Sequence, residues 1–187
     1  MKSIKKYLIM TLVMWGFVFA VPFLTNGNFE EPLTTGWFQT TSGGNTAILR
    51  NTNYDPDPDY EAYVYKGSGD GFTKLHQTVD IPTTDLEFSV NAKLYASSTS
   101  STCWAGAAVV ISYLNDSDFL LGKTMLCARS YACPWIDTDT RHIIAVTDSL
   151  WHNYVFNVDN ELVNLNGVNP SDIKKIQVAL FGQATSG

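Results

Sequence analysis

Hydrophobic and polar residues alternate along much of this chain with the period of two that is typical of half-buried β-strands. In residues 86–95 the apolar side chains fall on even positions and the polar ones mostly on odd positions. Residues 105–113 are apolar at both odd and even positions, which predicts a central strand buried on both faces. The sequence Asn-Asp-Ser-Asp at residues 115–118 predicts a turn, and residues 119–126 a strand that returns as hairpin partner.

Further short segments show strand-like patterns between turns rich in Gly, Asn, Asp and Pro, namely residues 47–50, 62–65, 72–79, 143–146, 151–158 and 176–181. Helical periodicity is scarce, and only residues 170–175 indicate a capped helical turn. Short strands at a spacing of roughly 8–12 residues predict a sandwich or a barrel. We therefore expect an all-β fold, an antiparallel two-sheet sandwich.

The start of the chain has the layout of a secretory signal peptide. Three lysines precede an apolar run over residues 7–20, and we expect cleavage after Ala20, which leaves residues 21–187 as one exported domain. An uncleaved anchor is the alternative, because the apolar character continues to Leu24 and approaches the length of a membrane span. Pro22 would interrupt such a helix and favours cleavage.

Composition restricts the class of partner. The 187 residues suffice for one domain with a core, and the net charge is −6 with 12 basic and 18 acidic residues. Loss of the three leader lysines leaves 9 basic against 18 acidic residues, a net charge of −9. Nucleic acid is therefore not an expected partner. We expect a secreted or cell-surface protein without a membrane span after signal cleavage.

Three cysteines, Cys103, Cys127 and Cys133, lie in the predicted mature chain. Because exported proteins meet an oxidising environment, we expect one disulfide bond and one free thiol, with the pairing open. A metal site is disfavoured because no Cys-x-x-Cys occurs and no histidine stands at ligand spacing.

Several short motifs resemble a known family. Residues 26–30, Asn-Gly-Asn-Phe-Glu, followed by Gly-Trp at 36–37, resemble the N-G-x-F-E…G-W opening of jelly-roll carbohydrate-binding modules. These are the galactose-binding-like modules of the family 4, 9 and 22 type found on secreted glycoside hydrolases. Residues 73–79 resemble their L-x-Q-x-V strand, and residues 151–158 their W-x-x-Y-x-F strand. The resemblance covers most of residues 24–187 and implies a jelly-roll sandwich.

The resemblance also implies a structural calcium ion beside the first strand. Glu30 is the side-chain ligand that the motif transfers, with backbone carbonyls near Glu61 as partners; an ordinary turn acid is the alternative for Glu30. The acidic residues at 55–59 lack the Gly and Glu of an EF-hand loop and predict a solvated acidic loop. The closing strand of the family has no counterpart before Gly187, so we expect a fragment with further domains beyond it; the alternative is a sandwich that lacks this strand and leaves an exposed edge.

A sugar site needs exposed aromatic rings beside planar polar side chains. Trp104 and Trp135 stand next to cysteines at loop borders, Tyr54 lies in the acidic loop, and Tyr95 and Asn91 lie on the polar face of a predicted strand. These five are the candidate ligand-binding residues. Two further tryptophans occupy positions that the resemblance places in the core, Trp37 and Trp151.

Catalytic motifs are absent from the sequence: it contains no G-x-S-x-G, no H-E-x-x-H and no paired-acid motif, and its 3 histidines are scattered. We therefore expect no enzyme, but a secreted non-catalytic module, part of a larger extracellular protein, that binds a polysaccharide or cell-surface glycan. The alternative is a cell-surface adhesion or structural β-sandwich domain without a sugar ligand.

Overall fold

The computed structural model describes residues 23–54, 59–99 and 101–186, so the predicted signal peptide lies outside the described residues. Within these ranges the chain forms strands β1 Phe38–Ser42, β2 Thr46–Asn51, β3 Glu61–Lys66, β4 Gly71–Asp80, β5 Glu87–Ala92, β6 Ala105–Leu114, β7 Leu120–Arg129, β8 Arg141–Ala145, β9 His152–Asn157 and β10 Lys175–Ala184. A short helix, α1 Val158–Leu162, follows β9, and a 3-10 turn, Pro170–Asp172, precedes β10.

The strands form two layers. One layer is a six-stranded sheet in the order β1-β4-β10-β6-β7-β8, and the other consists of two separate pairs, β2-β3 and β5-β9. Both pairs pack on the same side of the large sheet, its inner face, where Leu75, Leu180, Val109 and Leu126 form one cross-strand row. The predicted all-β sandwich is confirmed. The prediction of a fully antiparallel arrangement is wrong at one pair of strands, because β8 pairs with β7 in parallel.

Central strands of the large sheet are apolar on both faces. From Gly106 to Leu114, β6 has one half-buried residue, Ala107, and all the others are buried. The inner face is covered by the two strand pairs, and the outer face is covered in part by the loop that carries Trp135. The sequence-based prediction of a central strand at residues 105–113 is therefore confirmed.

The turn between β6 and β7 shows how local chemistry sets the hairpin. The Asn115 side-chain oxygen accepts hydrogen bonds from the amides of Ser117 and Phe119, at 3.0 and 2.9 Å. Asp118 adopts a positive φ of 61°, which aspartate tolerates better than most residues. The predicted hairpin is confirmed, with its turn residues in their expected places.

Two elements were not predicted, namely β1 and α1. The sequence of β1, Phe-Gln-Thr-Thr-Ser, has no alternation, because every residue of this edge strand is exposed. The strand predicted to continue to Val158 ends at Asn157, whose side chain accepts a hydrogen bond from the amide of Asn160 and caps α1.

The predicted disulfide bond is wrong, because Cys127 and Cys133 are both thiols in this structure. The two thiols belong to one apolar cluster with Trp135, where they pack as small apolar side chains. Burial raises the pKa of Cys127 to about 11 and also raises that of Cys133, which keeps both groups neutral.

Tyr113 generates a prediction about alkaline pH. Its ring is fully buried, and its hydroxyl lies 2.9 Å from Thr124 Oγ1. Burial, with the charge of Glu161 added, outweighs this hydrogen bond and raises the pKa of Tyr113 from 10.0 to about 12. The stability contributed by this shift is present below pH 10.0 and is lost as the pH rises towards about 12, because only the unfolded chain ionises in that window.

Over the whole window the expected loss is roughly 2–3 kcal/mol of unfolding free energy, of which about 1.4 kcal/mol is reached at pH 11. Urea unfolding at about pH 8 and about pH 11 should show a larger loss in the wild type than in Tyr113→Phe. Equal losses of unfolding free energy in the two proteins would show that a group other than Tyr113 causes the loss of stability at alkaline pH.

Candidate functional site

A groove of about 530 Å³ opens between β3 and residues 95–99, the segment that follows β5. Its floor is made by the ends of β6 and β10, where two successive cross-strand pairs contain only alanine and glycine: Ala107↔Gly182 and Ala105↔Ala184. The next pair on the same face, Val109↔Leu180, is large and closes the space. The groove therefore exists because the floor residues are small, and its volume is within the usual range for ligand sites.

Aromatic side chains stand along the walls of this groove. Tyr65 and Tyr95 are 41% and 68% exposed, and Trp104, which also lines the groove, is half-buried. Hydroxyl groups make up much of the remaining lining, from Ser68, Ser97, Ser98, Thr99, Thr185 and Ser186. The groove thus combines apolar ring surface with many hydrogen-bonding groups.

One lysine in the lining has a structural role. The ammonium group of Lys66 donates to the carbonyl oxygens of Gly44, Gly67 and Gly69 at 3.1, 3.0 and 2.8 Å. These bonds tie the turn after β3 to the turn before β2. They hold the wall that carries Tyr65 in place.

Three tyrosine rings form a stack that leads to the groove. The Tyr54 and Tyr63 centroids are 4.8 Å apart with planes at 21°, and those of Tyr63 and Tyr65 are 6.1 Å apart at 9°. Glu61 fixes the start of the stack, because its buried carboxylate accepts the amides of Asn53 and Tyr54, both at 2.9 Å. Sequence reasoning found Tyr54 but missed Tyr63 and Tyr65, whose i, i+2 spacing on a strand was the available signal.

Trp151 is not the core residue that the resemblance implied. It is half-exposed, and its indole N–H donates to the carbonyl of Tyr54 at 2.8 Å. Trp37, by contrast, is 5% exposed and packs with Leu33 and Leu75, as expected of a core position.

The structure brings together some of the candidate residues and separates others. Trp104 and Tyr95 both line the groove, and Tyr54 connects to it through the stack. Asn91 lies outside the lining, on the exposed face of β5, where its side-chain oxygen accepts a hydrogen bond from Asn153 at 3.0 Å. Trp135 is 6% exposed and presents no ring face to solvent.

Trp135 supports the groove from behind. A Cβ atom at Gly106 would lie 2.5 Å from two carbons of the Trp135 ring, so the ring rests directly on the backbone of β6. Trp135 also packs edge-to-face against Trp104, with 6.0 Å between the ring centroids. Its carbonyl accepts a hydrogen bond from Arg129. These contacts fix the position of Trp104.

The residues around Glu30 do not fit the calcium ion that the resemblance implied. One Glu30 carboxylate oxygen accepts the amide of Tyr60 at 3.2 Å. The backbone carbonyls of Phe29 and Glu30 accept hydrogen bonds from the guanidinium of Arg50, so a fixed positive charge already engages two oxygens that a calcium ion beside Glu30 would use. The described residues contain no cluster of three or more metal-ligating side chains.

Comparison with known proteins finds similarities among solved structures, where 13 chains match. No family model matches the chain, and no curated protein matches it significantly. Among solved structures it is similar to the enzymatically active domain of tailspike protein 4 of bacteriophage CBA120, with 11% identity and a TM-score of 0.45. The match covers 89% of this chain and 19% of that one, so the chain spans about a fifth of the tailspike structure.

This comparison corrects one prediction. The expectation that the chain is not an enzyme is contradicted, because the matched domain is described as enzymatically active. A similarity of this size does not by itself assign an activity to the chain.

Within the described residues, no helix is long and apolar enough to cross a membrane.

The contact between Gly106 and Trp135 predicts a large effect of a single methyl group. Gly106→Ala should displace the Trp135 ring and lower the unfolding free energy by about 1–3 kcal/mol. Gly44→Ala is the matched control, because a Cβ atom there meets nothing within 4 Å. Urea unfolding of both variants tests this, and an unchanged midpoint for Gly106→Ala would contradict the described position of Trp135.

Proposed function

We propose that this protein binds a carbohydrate chain in the groove between β3 and residues 95–99. The observation that carries the proposal is that two exposed tyrosines, Tyr65 and Tyr95, and the half-buried Trp104 line a groove whose floor is alanine and glycine. A sugar ring has apolar C–H faces that pack on aromatic rings and hydroxyl groups that need hydrogen-bonding partners. The groove offers both kinds of surface.

The position of the groove on the scaffold supports the proposal. The floor belongs to β6 and β10, which are paired on both sides in the large sheet and are therefore rigid. The β3 wall is fixed by Lys66, and Trp104, just before β6, is held by its contact with Trp135. A site held in this way loses little conformational entropy when a ligand binds.

The predicted leader at residues 1–20 suggests where binding takes place. With it removed, the protein would meet its glycan outside the cell, as a secreted or surface-attached chain. An adhesion or structural domain without a sugar ligand is the competing function, and the same experiment separates the two.

Alanine substitution of the groove aromatics tests the proposal. Wild-type protein should bind at least one member of a panel of soluble polysaccharides. Calorimetry and tryptophan fluorescence measure this binding. Trp104→Ala and Tyr95→Ala should each weaken that binding by about tenfold or more, because each removes a stacking surface. Tyr131→Ala is the matched control, since this ring is fully exposed and lies outside the groove lining.

A groove-filling variant gives an independent test. Ala107→Leu adds side-chain volume to the floor without removing an aromatic ring, so it should weaken binding while leaving the emission of Trp104 in place. Circular dichroism confirms that each variant is folded. If folded wild-type protein binds no glycan, or if Tyr131→Ala weakens binding as much as Tyr95→Ala, the proposal is wrong.

A further inference from the structure

The outer face of the six-stranded sheet carries a cluster of basic side chains. Lys74 and His76 project from β4, Lys123 from β7 and Arg141 from β8. Lys123 and Arg141 are register partners, and the β4 residues lie opposite Phe181 and Ala179 of β10. The sheet register thus places four basic residues from three strands on one face; we call them the basic cluster.

Within the described residues, no carboxylate forms an ion pair with Lys74, Lys123 or Arg141. Lys74 donates a hydrogen bond to Gln177, whose amide group donates to Thr78 at 2.9 Å. Buried charged side chains are usually paired, so the lack of an ion pair at these partly buried residues needs an explanation.

Burial and mutual repulsion act together in the basic cluster. Burial lowers the pKa of Lys123, and the nearby charges of Arg141 and Lys74 lower it further. Burial lowers the pKa of Lys74, and burial together with the charge of Lys74 lowers that of His76. The positive charges are therefore close enough to destabilise one another, and a bound anion would relieve that repulsion.

Two nitrogen atoms of the basic cluster lack hydrogen-bond partners. Nδ1 of His76 and Nε of Arg141 are buried and make no hydrogen bond in the structure. Buried polar atoms without a partner are costly and rare in folded proteins. These two nitrogen atoms lie beside positive charges that no carboxylate neutralises. An oxyanion from outside the protein could accept hydrogen bonds here and balance the charge.

We propose that the basic cluster binds the carboxylate or sulfate groups of an acidic glycan. Lysine and arginine side chains provide the charge-assisted hydrogen bonds that such oxyanions accept. Phe38, on the adjacent edge strand, is 66% exposed, and its ring centroid lies 6.0 Å from that of His76. An exposed ring, the hydroxyl of Thr78 and the amide of Gln177 provide the uncharged contacts for the rest of the sugar.

The surrounding charge favours an acidic glycan over nucleic acid. Nucleic acids carry a charge about every 1.7 Å of duplex and need extended basic surfaces. The basic cluster is small and lies on an acidic protein, so it suits a polymer whose charges are spaced by sugar rings. The site is on the opposite face of the sheet from the groove, and its function does not depend on the groove.

The experiment compares two forms of one polymer, polygalacturonate and its fully methyl-esterified form, with the full chain in calorimetry at low salt. The esterified form has the same backbone without the charge. We expect polygalacturonate to bind more tightly, and Lys123→Met or Lys74→Met to weaken its binding by about tenfold. The affinity for the methyl ester should remain unchanged in these variants.

Lys175→Met is the matched control. This lysine projects from β10 and is already paired with Asp118 at 2.8 Å, so its removal changes net charge by the same amount without touching the basic cluster. Because Lys123 and Lys74 are destabilised by burial, both variants should melt no lower than the wild type, which keeps the binding result interpretable.

Several outcomes would overturn the proposal. Equal affinity for the acidic and esterified polymers would show that binding does not depend on the charge of the carboxylates. An equal loss of binding in Lys175→Met would show that the affinity depends on the net charge of the protein and not on the basic cluster. Binding of inorganic phosphate or of a DNA oligonucleotide as tight as that of polygalacturonate would remove the assignment to a glycan. Ala107→Leu should leave the difference between the two polymers intact, so failure of the groove proposal is distinguishable from failure of this one.

Discussion

The pairing of β10 with β4 on one side and β6 on the other is the constraint on which the rest of the structure depends. All ten residues of β10 are in register with both neighbours, so this strand fixes the relative position of elements far apart in sequence. Its even positions build the inner face, and its odd positions build the outer face. Both proposed sites lie on strands whose register this central pairing sets.

The incompleteness of the second layer gives the molecule its groove. The pairs β2-β3 and β5-β9 cover separate parts of the inner face, and no hydrogen-bonded ladder joins them in the described residues. Between them the large sheet presents alanine and glycine, where larger side chains would have filled the space. The loop that carries Trp135 covers the opposite face of the same strands, so the thin part of the sandwich remains supported.

Sequence patterns predicted the strands far better than they predicted the sites. Alternation, continuous apolar runs and turn residues together predicted every strand except β1, because β1 is an edge with no buried face. Trp104 was a candidate because it stands next to a cysteine at a loop border and Tyr95 because it lies on the polar face of a strand, and both line the groove, whereas Trp151 was assigned to the core by motif position and not by its surroundings. Lys74, Lys123 and Arg141 could not be grouped from sequence, because only the register of strands brings them together.

The alanine and glycine floor has an evolutionary consequence. Those side chains are already the smallest available, so mutation can make the groove shallower but has almost no means of making it deeper. A lineage that changed its ligand would therefore have to do so through the walls, above all residues 95–99, a segment without regular secondary structure that can change in length or sequence without disturbing the sheet. The floor would stay constant while the specificity diverged around it.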